Sequence, residues 1–73
     1  MNDRIEIDPK ICHGKPVIRG TRMPVSLVVG SLAGGMSVED LAREYELTEE
    51  DIRAALRYVG ELIEKEQHHA LPQ

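Results

Sequence analysis

Cys12-His13 is the only adjacent thiol–imidazole pair in the chain and the first place to look for covalent chemistry. A thiolate nucleophile needs a base within hydrogen-bond reach and a third group to orient that base. Adjacent residues rarely turn their side chains toward each other, and no orienting group is evident, so an incidental thiol is expected. His68-His69, a polar pair in the terminal tail, lack with Cys12 the spacing of a metal-ligand set. The carboxylates cluster at helix starts, where they complement the helix dipole, or on outer helix faces. No Gly-rich phosphate loop follows a strand, and a chain this small has little room for a cleft that excludes water. The sequence therefore predicts a non-enzyme, with no catalytic residue, no bound metal and no cofactor.

Binding chemistry is more promising. The run Cys12-His13-Gly14-Lys15-Pro16-Val17-Ile18-Arg19-Gly20-Thr21-Arg22-Met23-Pro24 concentrates Lys15, Arg19 and Arg22 in a short segment. Gly14, Pro16 and Gly20 exclude a helix there. The planar fork of arginine binds carboxylates in bidentate fashion, so Lys15, Arg19 and Arg22 are candidate contacts to an acidic partner. The plainer reading is that they are solvated or pair with acids of their own chain. The net charge is −4, unevenly spread: residues 1–23 carry five cations and three acids, residues 24–73 four cations and ten acids. The acidic body argues against strong non-specific nucleic-acid binding, which depends on neutralising phosphates.

These cations need elements to position them. Arg4-Ile5-Glu6-Ile7 alternates and is rich in β-branched residues, which predicts a short strand. Asp8-Pro9 ends it, and Pro9 can open one helical turn through Cys12. Val17-Ile18 and Arg22-Met23 read as two very short strands about an Arg19-Gly20 turn, with Gly20 at positive φ. Pro24 suits the first position of a helix continuing from Val25 to Ala33, and Gly34-Gly35 stops it. Ser37 caps a second helix whose buried stripe is Val38, Leu41, Ala42 and Tyr45. Thr48-Glu49-Glu50-Asp51 repeats that start chemistry. The third helix is expected from about Glu49 to Glu66, with Ile52, Ala55, Leu56, Val59, Leu62 and Ile63 as its apolar stripe. Gly30 and Gly60 interrupt helices at a cost of roughly 1 kcal/mol each against Ala.

The expected fold is mainly α: a three-helix helix-turn-helix bundle with a short N-terminal β element. One domain is expected overall, with a β/turn arm at 1–23, the helical unit at 24–67 and a flexible tail at 68–73. The short second helix, tight turn and longer third helix carry the helix-turn-helix pattern, with Glu46 where a glycine often stands. Were the third helix to enter a major groove, Thr48, Arg53 and Arg57 would be its DNA-binding candidates, with Ala54 also facing outward. Glu49, Glu50 and Asp51 would then confront a polyanion. The simpler expectation pairs Arg53 with Glu49 and Arg57 with Glu61.

The aliphatic core of a chain of this size is small, so a second copy or another protein is expected to cover part of its apolar surface. A single cysteine excludes an internal disulfide and fits a reducing cytoplasm. No apolar run approaches a membrane span, and Met1-Asn2-Asp3-Arg4 does not resemble a signal peptide. A cytoplasmic protein is expected.

Ile7-Asp8-Pro9, the 12–22 run, Leu32-Ala33-Gly35-Met36-Ser37 and Leu47-Thr48-Asp51-Ile52-Ala55-Leu56 resemble the DUF433 family of small prokaryotic proteins. The Gly-Lys-Pro-Val-Ile-Arg-Gly-Thr-Arg core is the most specific part of that likeness. The resemblance implies a homeodomain-like fold and the antitoxin half of a type II toxin–antitoxin pair, neutralising a PIN-like nuclease toxin. It makes a PIN-like toxin the expected partner, with operator DNA as the alternative if the protein represses its own operon. A homodimer or hetero-oligomer is expected with either. Tyr45-Glu46-Leu47 stands where many members have a slightly longer, Pro-containing turn.

Overall fold

A computed structural model describes residues 3–66. The tail expected at 68–73, with His68 and His69, lies outside the described residues. The elements run β1 (Ile5–Glu6), β2 (Val17–Ile18), α1 (Val25–Ala33), α2 (Val38–Glu44) and α3 (Glu49–Lys65). The fold is mainly helical, three helices beside a two-stranded antiparallel sheet.

Strands this short need support from both sides. In the sheet, Ile5 faces Ile18 and Glu6 faces Val17. On its other side β2 folds back about the Arg19-Gly20 turn, with a single bridge from Val17 to Pro24. The expected second arm, Arg22-Met23, is therefore shifted by one residue and reduced to that bridge. Gly20 has φ +82°, as the turn requires. Thr21 locks the same loop: its hydroxyl donates to the Ile18 carbonyl at 2.6 Å and accepts from the Met23 amide at 2.9 Å. Pro24 is the N-cap of α1, one place earlier than its expected helical position.

Ile5 and Ile18 pack into one core with Val25, Val28, Leu41, Leu47, Ile52, Ala54 and Ala55. The N-terminal segment is thus built into the body by its apolar side chains. Ala54 is buried in that core, contrary to its expected outward position. In turn Val38, Leu56, Leu62 and Ile63, expected within buried stripes, are exposed. Periodicity placed them on common faces, but a common face is not a covered one: Val38 is 37% exposed and Leu56 44%.

The helix starts follow their sequence signals. Ser37 accepts from the Asp40 amide at the start of α2. Thr48 and Asp51 form a reciprocal capping box at the start of α3. Between the helices, the Leu47 amide donates to the Ala42 carbonyl at 2.8 Å, a Schellman-type closure. That closure puts Glu46 in the left-handed region, φ 55°. A side chain there is strained, and glycine relieves it. Glu46→Gly is expected to raise stability by about 1 kcal/mol in urea unfolding. A loss of stability would show that the Glu46 side chain holds the turn in another way.

Candidate functional site

The basic segment is anchored in three ways. Asp8 opens it with a turn in which its carboxylate accepts from the Lys10 amide and its carbonyl from the Ile11 amide, both at 2.9 Å. The chain then passes through left-handed backbone at Cys12 (φ 49°), His13 (φ 57°) and Gly14 (φ 82°). The turn expected from Pro9 is present over Pro9-Lys10, but it does not run on as one helical turn through Cys12; a second hydrogen-bonded turn follows at Cys12–Gly14. Two non-glycine residues in that region store about 1 kcal/mol or more each. Finally, the Cys12 thiol donates to the Arg22 carbonyl at 3.4 Å and ties the two ends of the segment together.

This arrangement settles the environment of each candidate cation. Lys15 and Arg22 are exposed, and neither has an ion pair among the described residues. Arg19 is partly engaged: its Nε donates to the Asp3 carbonyl at 2.6 Å and its guanidinium lies 3.9 Å from the Glu6 carboxylate. Its side chain is still 59% exposed. Arg19 therefore helps pin the N-terminal strand to the turn, while Lys15 and Arg22 present their charges to solvent.

The DNA candidates on α3 are placed differently. Arg53 binds Glu49 at 2.6 Å and approaches Glu50 at 3.9 Å, as charge pairing predicts. The expected Arg57–Glu61 pair does not form among the described residues, and Arg57 is exposed. Thr48 is engaged in the capping box, through its hydroxyl to the Asp51 amide and its own amide to the Asp51 carboxylate, both 3.0 Å.

Asp51 also receives Arg4 at 3.0 Å, which latches the chain before β1 onto the start of α3. Sequence spacing gave no sign of this contact across 47 residues. Partial burial pushes the Asp51 carboxyl up, but the Thr48 hydrogen bonds and the Arg4 charge outweigh it and hold the carboxyl below its ordinary value. A carboxyl lowered on folding contributes stability above its unfolded-state pKa, and that stability is lost as pH falls through the folded value. Urea unfolding is expected to show Asp51→Asn losing about 1 kcal/mol at neutral pH. The gap from wild type should close below roughly pH 4. A gap that stays constant with pH would remove the charge from the explanation.

Between α2 and α3 lies an open groove of about 410 Å³, lined by Val38, Glu39, Glu49, Ile52, Arg53 and Leu56. Among the described residues no group of three or more His, Cys, Asp or Glu is placed to hold a metal ion. No helix among them is long and apolar enough to cross a membrane.

Comparison with known proteins places these features in context. The sequence model described as "Protein of unknown function (DUF433)" matches residues 5–59, which span the sheet, the basic segment and most of α3. The uncharacterized protein y4eO of Sinorhizobium fredii is 47% identical over 51 residues, covering 68% of this chain and 23% of that protein. A crystal structure of a DUF433 member from Anabaena variabilis superposes with a TM-score of 0.77 at 36% identity, covering 85% of this chain and 62% of that one. The Mycobacterium tuberculosis protein Rv2018 superposes with a TM-score of 0.65 at 33% identity, covering 71% of this chain and 24% of that one. The chain thus spans about a quarter of the length of two of these relatives and under two thirds of the third.

Proposed function

This chain belongs to the DUF433 family, and from that membership we propose that it is a protein-binding module, the antitoxin half of a toxin–antitoxin pair that docks on a PIN-like nuclease. The observation that carries the reading is the solvent-facing charge of Lys15 and Arg22 on a strained, cross-tied loop. Unsatisfied cations on a fixed backbone complement an acidic surface without paying much ordering entropy. Strained backbone also concentrates at binding sites, where a fixed geometry is needed. A nuclease site of carboxylates around a divalent cation is such a surface, and Lys15, Arg22 and the exposed part of Arg19 would compete there with the metal.

Co-expression with the PIN-like product of a neighbouring gene tests the reading. The expected result is a co-purifying complex and relief of growth inhibition. A toxin that stays active and unbound in the presence of folded protein would contradict it.

The second reading, a DNA-binding autoregulator, draws its support from the α2–turn–α3 arrangement and from Arg57, which is exposed without an ion pair among the described residues. Thr48, Arg53 and Arg57 would carry it. Arg53 would first have to leave Glu49 and Glu50, whose charges oppose phosphate. A promoter-fragment shift that steepens at low salt and weakens in Arg53→Ala plus Arg57→Ala would favour this reading.

A further inference from the structure

α3 continues beyond the body it packs on, and residues 60–66 are all exposed. Leu56 (44% exposed), Val59 and Ile63 (53% exposed) recur at spacings of three and four, so they share one helix face. Gly60 lies on that face, four residues after Leu56 and three before Ile63. A Cβ built at Gly60 meets nothing within 4 Å, so the packing of this chain gives no reason for a glycine inside the helix. The face also runs into the open groove, which Leu56 lines together with Val38 and Ile52.

We propose that this face is a homodimer interface, in which α3 of one copy crosses α3 of a second copy antiparallel near Gly60. The order of charges selects the occupant and its direction. Along the flank of the face Arg57 comes first, and Glu61 and Glu64 follow. An antiparallel crossing sets Arg57 of each copy beside Glu61 and Glu64 of the other. A parallel one turns this flank toward the opposite flank of the partner helix, so Arg57 does not meet Glu61 and Glu64. The same crossing carries the Ile63 end of each α3 over the groove of its partner, where exposed Val38 and Leu56 await cover. Gly60 lets the two helix backbones approach where they cross. The inference is independent of the nuclease-binding reading, because Lys15, Arg19 and Arg22 play no part in it.

Sedimentation equilibrium on the full chain tests the interface. Wild type is expected to dimerise as concentration rises. Leu56→Asp, at an exposed position, should keep its helix content and weaken dimerisation by about tenfold or more. Gly60→Gln should move two readouts in opposite directions: a higher melting temperature for the dilute monomer, from better helix propensity, and a weaker dimer, from bulk at the crossing. Arg57→Glu should weaken the dimer, and adding Glu61→Arg with Glu64→Arg should restore it. A wild type that stays monomeric, or a dimer that tolerates both Leu56→Asp and Arg57→Glu, would overturn the proposal. So would a protein that dimerises only after residues 67–73 are removed, since its own chain would then cover the face.

Discussion

Ile18→Ala is expected to unfold much of this protein near physiological temperature. Ile18 is fully buried in the two-residue strand β2, between β1 and the helices. Cutting a buried isoleucine back to alanine costs about 3 kcal/mol, counting lost burial and the cavity left behind. A domain of this length holds roughly 4–10 kcal/mol in total. The melting temperature should fall by roughly 15 °C. Circular dichroism during heating measures this directly. A shift of only a degree or two would mean that the N-terminal segment is an appendage to a self-sufficient helical bundle.

The second large effect concerns binding. Lys15→Glu combined with Arg22→Glu is expected to weaken association with the proposed nuclease partner about a hundredfold or more, since reversing charges against an acidic site costs several kcal/mol. The folded state should barely notice, because both side chains are exposed and neither makes an ion pair among the described residues. Arg19→Glu is a poorer probe. It removes the bond to the Asp3 carbonyl and sets a second carboxylate beside Glu6, so it would disturb the sheet as well as the surface. Isothermal titration at two salt concentrations reads the effect. Affinity of the wild type should fall with salt, and that of the double variant should change little. Unchanged affinity in the double variant would remove Lys15 and Arg22 from the interface.

Local chemistry was the legible part of the sequence. Ser37 and Thr48, each followed by acids, marked helix starts because a cap is made within four residues. Gly20 marked a positive-φ turn for the same reason. What depended on distant partners was not legible. The pairing of Ile18 with Ile5 rests on contact between segments separated by a loop of left-handed backbone, and nothing in Cys12-His13 announces that conformation. The Arg4–Asp51 latch joins opposite ends of the fold. Ala54 turned inward because the core reaches around α3 beyond the stripe of Ile52 and Ala55, which only the assembled helices and sheet decide. Leu56 and Ile63 lie on a face the period identifies, but periodicity does not say whether anything covers a face. Of the candidate cations, the sequence named all three in the basic segment. Only the folded chain separates Arg19, which braces the N-terminus, from Lys15 and Arg22, which face outward.

Amide hydrogen exchange on this chain, alone and mixed with the proposed PIN-like partner, puts the account to its most direct trial. New protection is expected over residues 12–23, where the basic segment would meet the partner, with little change along the outer side of α2. Protection confined to α2 and α3, with residues 12–23 exchanging as in the free chain, would contradict the claim that this strained cationic loop grips another protein.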